Sequence, residues 1–101
     1  MKIYLSELEN ILGSSIINSD IAFEGISIDS RTIKKNELYI PIKGNKFDGH
    51  QFICDAVKNG ASALISEKEY DNIPCIKVTD TTKALGMIAT YYSGIINPII
   101  I

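Results

Sequence analysis

The sequence contains few of the residue types that disulfide scaffolds, zinc sites and membrane spans require. It has two cysteines, one histidine, one arginine and no tryptophan among 101 residues. Cys54 and Cys75 lack C-x-x-C spacing and a nearby histidine that could complete a zinc site, so we expect free, buried thiols. No apolar run approaches the ~18 residues of a membrane span, and Glu7 interrupts any apolar signal region. We therefore expect a cytoplasmic protein with no membrane partner.

An excess of positive charge is also missing, which excludes a broadly basic surface for nucleic acid. The formal net charge is −2 at pH 7. The basic residues are nevertheless unevenly placed. Segment 31–46 holds five of the ten basic residues against one acid, a local charge of +4 that leaves −6 for the remainder. This segment is therefore compatible with a local anion site.

The sequence also lacks the motifs with which many enzymes hold phosphates. Neither G-x-x-x-x-G-K-[ST] nor G-x-G-x-x-G occurs in it. Because there is a single histidine, no pairing of a nucleophile with a base is apparent. We therefore predict no catalytic residue and no metal ligand, and binding is favoured over catalysis.

What the sequence does contain is 46% apolar residues, arranged with the periods of helices and strands. At this length, folding buries roughly 65% of the surface that the unfolded chain exposes, so one small domain can have its own core. Helical spacing predicts helices over residues 6–12, 49–59 and 80–93. Strands are predicted over residues 24–29, 38–42, 61–65 and 75–78. This order predicts an α/β fold with a small, mostly parallel (mixed) sheet flanked by helices.

Local signals predict how these elements begin and end. Ser6 and Glu9 fit a capping box for the first helix, and Asp48 and Asp80 are the expected N-caps of the other two. Pro41 has no backbone N–H to donate to a neighbouring strand, so its strand is expected to lie at an edge of the sheet or to pair irregularly there. The second helix is expected to bury one apolar stripe, formed by Phe52, Ile53, Ala56 and Val57.

Two polar stretches at predicted strand ends could bind a ligand. One is residues 29–31 and the other, which is rich in glycine, is residues 43–50. In open α/β sheets, ligands lie beyond the carboxyl ends of the strands. Ser30 offers a hydroxyl, Arg31 a planar fork suited to phosphate oxygens, and Lys43 and Lys46 offer point charges. Phosphate is therefore the expected ligand.

Purely structural interpretations of the same residues remain open. Residues 29–30 could close an Asx turn, with Arg31 as the ion-pair partner of Asp29. Asp48 could be only a helix cap followed by a solvated His50. Lys34 and Lys35 are most simply solvated turn residues, and residues 91–92, two tyrosines, are most simply core and rim.

The sequence ends in a proline and three isoleucines, residues 98–101. A strand of bare isoleucines would leave apolar surface without a partner. One hypothesis is that a longer protein is cut where its next strand begins. A competing hypothesis is a freestanding interaction module whose isoleucines add a strand to a partner's sheet.

Four separated motifs resemble the N-terminal domain of the Mur ligases, the ATP-dependent amide ligases that build the peptide stem of peptidoglycan. They are residues 28–32 (I-D-S-R-T), 37–44 (E-L-Y-I-P-I-K-G), 47–50 (F-D-G-H) and 60–65 (G-A-S-A-L-I). The similarity runs in register from about residue 24 to residue 98. Residues 35–36 depart from the Pro-Gly turn that is frequent in the family, but Asn36 tolerates the left-handed conformation, so we expect the turn to persist.

The resemblance implies that this domain holds the uridine diphosphate end of UDP-N-acetylmuramoyl-tripeptide. Residues 1–98 would form that domain, and residues 99–101 would begin a central domain that uses ATP and Mg²⁺. Within the family, the resemblance favours the ligase that adds D-alanyl-D-alanine, with the ligase that adds the third stem residue (meso-diaminopimelate or lysine) as the alternative. The implied contacts and their immediate neighbours are Ile28, Ser30, Arg31, Lys43, Gly44, Asn45, Lys46, Phe47 and His50.

Overall fold

A mixed sheet of five strands carries the candidate site in the computed structural model, which describes residues 2–44 and 46–92. The helices are α1 (Leu5–Leu12), α2 (Ile53–Lys58) and α3 (Thr81–Tyr91), and a 3₁₀ turn (Gly49–Phe52) precedes α2. The strands are β1 (Ile3–Tyr4), β2 (Ile16–Ile17), β3 (Ala22–Phe23), β4 (Gly25–Ser27), β5 (Glu37–Tyr39), β6 (Ala63–Ser66) and β7 (Cys75–Lys77).

The strand order in the sheet is β2-β7-β6-β5-β4, and β1 pairs separately with β3. The strands β4 to β7 run parallel to one another, whereas β2 is antiparallel to β7. The predicted α/β fold with a mostly parallel sheet is confirmed. Since parallel strands end at the same edge, the segments that follow β4, β5, β6 and β7 all emerge on one side of the molecule.

Successive side chains of a strand point to opposite faces of the sheet. In this sheet, the side chains on both faces are buried. Leu38 and Ile65 face a core layer shared with α1 and α3. Tyr39 and Leu64 face the layer beneath α2, together with Ile53. Each such side chain contributes about 1.5–3 kcal/mol relative to an exposed one, so the sheet is held from both sides.

The cap of α1 differs from the predicted capping box of Ser6 and Glu9. The helix begins at Leu5, and the Tyr4 N–H donates to Glu7 Oε2 at 2.7 Å. Glu9 instead accepts a hydrogen bond from the Ile16 N–H at 2.8 Å, which fixes the chain after the helix. The Ser6 N–H donates to Asp20, a residue distant in sequence. The predicted capping box is therefore wrong, because Asp20 replaces Glu9 as the partner of Ser6.

Of the two alternatives for the strand with Pro41, the edge position is wrong, because β5 lies between β4 and β6, whereas irregular pairing at the proline is confirmed. Pairing stops before the proline: the last contact is the Ile40 N–H donating to the Ser27 carbonyl at 3.0 Å. The missing donor of Pro41 therefore falls just beyond the ladder. In the second helix, Ile53 and Ala56 are buried as predicted, but Val57 is exposed.

The expectation for the cysteines holds only in part, whereas the expectation for the two tyrosines is confirmed. Both cysteines are free, but Cys54 is exposed and only Cys75 is buried. Tyr92 packs against the core, whereas Tyr91 is exposed. The Tyr91 ring contacts the Tyr92 ring edge-on, with ring centroids 4.9 Å apart. Within the described residues, no helix is long and apolar enough to cross a membrane. The expected strand at residues 99–101 lies outside those residues.

Candidate functional site

The two stretches singled out in the sequence follow neighbouring parallel strands. Residues 28–31 follow β4, and residues 43–50 follow β5, which is paired with β4. Glu67 follows β6, and Thr81, the first residue of α3, comes four residues after β7. The candidate site is therefore built at the carboxyl edge of the sheet, where ligands of open α/β folds bind.

Asp29 closes the turn that follows β4. Its Oδ1 accepts hydrogen bonds from the Arg31 N–H at 2.9 Å and from Arg31 Nε at 3.2 Å, and its Oδ2 accepts from Arg31 Nη2 at 3.2 Å. These bonds from Arg31 hold the pKa of Asp29 below its usual value. The structural interpretation of the turn as an Asx turn with an ion pair is confirmed. The Arg31 side chain is still 87% exposed and accessible to an anion.

The flanking residues of this turn face inward. Ile28 packs partly against the core layer of α1 and α3. Ser30 is buried, and its carbonyl accepts a hydrogen bond from Asn59 Nδ2 at 2.7 Å. The turn is thereby tied to the residue that ends α2, which fixes its position at the sheet edge.

Residues 43–44 and 46–48 form the two arms of a tight hairpin, called here the 43–48 hairpin. Lys43 and Asp48 pair as an antiparallel bridge, and the Gly44 N–H donates to the Phe47 carbonyl at 2.7 Å. Its tip presents Lys46 and Phe47 to solvent, and the Phe47 side chain is 64% exposed. Asn45, predicted to contact the ligand, lies outside the described residues. The hairpin thus offers a cation and an aromatic ring side by side.

Gly49 joins the hairpin to the 3₁₀ turn at a place without room for a side chain. A Cβ at this position would lie 2.7 Å from the Ile42 nitrogen and 2.9 Å from Pro41 Cα. The Gly49 carbonyl accepts a hydrogen bond from the Tyr39 hydroxyl at 2.9 Å. Burial, with the nearby carboxylates of Asp29, Asp48 and Asp55, raises the pKa of Tyr39 to about 12. This glycine therefore allows close packing against residues 41–42, the segment that follows β5.

Glu67, which is not among the candidate residues predicted from the sequence, is a central residue of this edge. Its Oε1 lies 2.7 Å from Lys43 Nζ. Its Oε2 accepts from the Thr81 N–H at 3.2 Å and from Thr81 Oγ1 at 3.3 Å. The hydrogen bond from Lys43 is the main reason that the pKa of Glu67 is lowered. Nothing local in the sequence signals this role, because Lys43 and Thr81 are 24 and 14 residues away.

The expectation of a solvated His50 is wrong, since the side chain is only 6% exposed. Its Nδ1 lies 2.6 Å from Asp48 Oδ1, and its Nε2 accepts a hydrogen bond from the Glu67 N–H at 2.9 Å. Because Nε2 is an acceptor, Nδ1 carries the proton and the ring is neutral. Asp48 also accepts from the His50 N–H at 3.0 Å, so the predicted N-cap is confirmed.

The basic turn between β4 and β5 is structural. Lys34 and Lys35 are exposed, as the simpler interpretation has it. Asn36 adopts a left-handed conformation with φ of 69°, as the sequence predicts for this departure from the family pattern. Its N–H donates to the Gly60 carbonyl at 3.2 Å. These two lysines contribute to the local positive charge without forming contacts that organise the site.

The chemistry available at this edge is the recognition of an anion beside an apolar surface. Exposed cationic groups come from Arg31, Lys43 and Lys46, and an exposed ring comes from Phe47. Among residues 2–44 and 46–92, no group of three His, Cys, Asp or Glu side chains is placed to hold a metal ion. Two open grooves, of about 410 and 640 Å³, lie elsewhere, along α3 and the end of α1.

Comparison with known proteins identifies relatives over most of the chain. A family model described as "Mur ligase family, catalytic domain" matches residues 22–93. The UDP-N-acetylmuramoyl-L-alanyl-D-glutamate--2,6-diaminopimelate ligase of Clostridium tetani is 40% identical over 101 residues, covering 93% of this chain and 20% of the relative. The UDP-N-acetylmuramoyl-tripeptide--D-alanyl-D-alanine ligase of Haemophilus influenzae is 37% identical, covering 97% of this chain and 22% of the relative.

Solved structures share the fold. Crystal structure I of MurF from Acinetobacter baumannii superimposes with a TM-score of 0.81 at 26% identity, over 90% of this chain and 21% of that one. MurF ligase from Thermotoga maritima in complex with ADP gives a TM-score of 0.61 at 29% identity, over 67% of this chain and 16% of that one. The chain thus spans about a fifth of the length of the curated relatives.

Proposed function

The chain belongs to the Mur ligase family, as an N-terminal domain, and from this premise we propose that it binds the uridine diphosphate end of a UDP-N-acetylmuramoyl-peptide. The observation that carries the proposal is the exposed Phe47 at the tip of the 43–48 hairpin. A large aromatic side chain left in solvent beside a lysine suits a planar base that is attached to phosphates. We assign Phe47 to the uracil ring.

Three cations are available for the diphosphate. Lys46 lies beside Phe47 on the hairpin. Lys43 is held by Glu67 through one oxygen, and since an ammonium group has three donors, it can also bind a phosphate oxygen. Arg31 is held by Asp29 and exposes the rest of its guanidinium group. Ser30, Ile28, Gly44, Asn45 and His50 complete the set of candidate residues at or beside the ligand.

Binding here would anchor the substrate far from the reacting carboxylate. Such anchoring contributes positioning and lowers the entropy lost at the transition state, without taking part in the chemistry. In the proposed whole ligase, residues 1–98 form this anchoring domain, and residues 99–101 begin the central domain that would use ATP and Mg²⁺ to activate the peptide carboxylate. The ligase then joins that carboxylate to an incoming amine.

We propose D-alanyl-D-alanine as the incoming group. The relative from H. influenzae that carries this activity in its name aligns with 97% of this chain, and the MurF structures share its fold. The second candidate is 2,6-diaminopimelate, because relatives named for that acceptor reach 40–45% identity. Assaying the product of the complete reading frame with each acceptor separates the two: phosphate release with D-alanyl-D-alanine alone supports the first, and release with diaminopimelate alone overturns it.

The test of UDP binding is calorimetric titration of the 101-residue chain with UDP. We expect weak but measurable affinity, reduced at least about fivefold in Phe47→Ala because a stacking partner is lost. Tyr91→Ala is the matched control, since Tyr91 is equally exposed but lies on α3. ATP is expected not to bind. Equal affinities for the wild type and Phe47→Ala contradict the assignment of Phe47.

A further inference from the structure

His50 is a candidate residue whose side-chain nitrogens are both engaged inside the protein. Its Nδ1–H donates to Asp48 at 2.6 Å, and its Nε2 accepts from the Glu67 N–H at 2.9 Å. The side chain is 6% exposed. A ring in this state has no donor or acceptor left for a ligand, so its importance has to lie in what it connects.

What it connects is the 43–48 hairpin and the end of β6. Asp48, bound by the ring, is the hairpin residue paired with Lys43. Glu67, bound by the other nitrogen, also holds Lys43 through its carboxylate at 2.7 Å. Both arms of the hairpin are therefore fastened to the same residue of the sheet edge, one arm through an ion pair and the other through His50.

Glu67 is itself fixed, which makes it a firm support for the hairpin. Its carboxylate accepts two hydrogen bonds from Thr81, a fully buried residue at the start of α3. Apart from its two arms, the tip is supported by the Phe47 ring, whose centroid lies 6.4 Å from that of the Phe52 ring, and both Lys46 and Phe47 are otherwise exposed. The position of the tip thus depends on how its two arms are held.

We propose that His50 is a positioning residue that holds the 43–48 hairpin in the conformation that receives UDP, and that it does not contact the ligand. This role rests on the proposed function. Because the ring is neutral, replacing it with another neutral side chain leaves the electrostatic attraction for the diphosphate unchanged. Any loss of affinity in such a variant then reports the position of the hairpin.

Two variants divide the contributions of the ring. His50→Phe keeps a ring but removes both hydrogen bonds. His50→Gln can still accept from the Glu67 N–H through its amide oxygen, so it is the conservative variant. Tyr70→Phe is the matched control, because Tyr70 follows Glu67 between β6 and β7, is partly buried against the layer beneath α2, and loses one polar group. Each chain is first checked by thermal unfolding, so that only folded protein is compared.

Two measurements are made on each chain: the dissociation constant for UDP, and the hydrogen exchange rate of the Gly44 amide, which is bonded to the Phe47 carbonyl. We expect His50→Phe to weaken UDP binding at least about fivefold and to speed Gly44 exchange about tenfold, since a net hydrogen bond is worth about tenfold in an equilibrium. His50→Gln is expected to recover part of both losses, and Tyr70→Phe to match the wild type.

The outcomes separate the positioning role from the proposed function. Wild-type affinity in His50→Phe, unchanged Gly44 exchange, or a His50→Gln variant no better than His50→Phe overturns the positioning role. If the wild type itself does not bind UDP, the proposed function fails, and the exchange rates alone then decide whether His50 holds the hairpin. If His50→Phe does not fold, His50→Gln is compared with the wild type by the same two measurements.

Discussion

At the scale of single residues, Gly49 sets how closely the chain after the 43–48 hairpin packs against residues 41–42, which follow β5. A Cβ at Gly49 would lie 2.7 Å from the Ile42 nitrogen. Gly49→Ala is therefore expected to lower the free energy of unfolding by roughly 1–3 kcal/mol, as overpacking does elsewhere. Urea denaturation followed by circular dichroism measures the change.

Gly86 provides the control for this substitution. It lies within α3, and a Cβ there would meet nothing within 4 Å. Gly86→Ala is expected to raise stability by roughly 0.5–1 kcal/mol, because alanine loses less backbone entropy in a helix. If both variants behave alike, steric exclusion at Gly49 is not the reason for the glycine.

Tyr39 links the two candidate ligand-binding stretches through its environment. Burial and the carboxylates of Asp29, Asp48 and Asp55 raise its pKa to about 12, above the ordinary value of 10.0. Since the folded pKa is the higher one, this contribution to stability is complete below pH 10 and is lost as the pH rises towards 12. In Tyr39→Phe, the fall in unfolding midpoint between pH 9 and about 11.5 is expected to be smaller than in the wild type. An equal fall in both contradicts this.

Some residue roles could be predicted from the sequence and others could not, for a physical reason. The left-handed turn at Asn36 and the N-caps at Asp48 and Asp80 depend on neighbours within three residues, so local chemistry was sufficient. The roles of His50 and Glu67 depend on each other across 17 residues of sequence. No periodic pattern carries that information.

At the scale of elements, Glu67 couples the end of β6 to the start of α3. Its folded pKa is lowered from the ordinary value of 4.5 by Lys43 and Thr81. A lowered pKa means that the stabilisation is present above pH 4.5 and is lost as the pH falls through the folded value. Glu67→Gln is therefore expected to be less stable at pH 7, by about 1 kcal/mol, and to lose less stability between pH 5 and about 3.

Thermal unfolding across that pH range tests the coupling. Glu69→Gln is the matched control, because Glu69 lies two residues away and is exposed. The unfolding midpoint of Glu69→Gln is expected to change with pH in the same way as that of the wild type. Parallel profiles for Glu67→Gln and Glu69→Gln contradict the role given to Glu67.

The elements themselves were predictable where they are long or repeat a clear pattern. The parallel strands β4 to β7 and the helices α1 and α3 follow from apolar spacing. The two-residue strands β1, β2 and β3 are too short to show alternation. The segment predicted as one helix over 49–59 begins as a 3₁₀ turn, and its position is set by the tertiary contacts of Gly49 and His50.

At the scale of the whole molecule, a net charge of −2 conceals a basic and an acidic part. Of the five basic residues in segment 31–46, the fold places Arg31, Lys43 and Lys46 at the carboxyl edge of the sheet, whereas Lys34 and Lys35 lie in the turn before β5. The two open grooves lie along α3 and the end of α1, lined by Met87 among others, and not by the 43–48 hairpin. The fold thus gives the site its charge and its place, and the choice of acceptor falls to residues beyond this domain in the proposed ligase.

The central claim is that this edge of the sheet receives the uridine diphosphate group. The most direct test is a titration of the ¹⁵N-labelled chain with UDP at millimolar concentration, followed by amide chemical shifts. We expect shifts that saturate and cluster at residues 28–31 and 43–50, with residues of α1 and α3 such as Ile11 and Tyr91 unmoved. Shifts confined to α1 and α3, or none near Ser30 and Phe47, would contradict it.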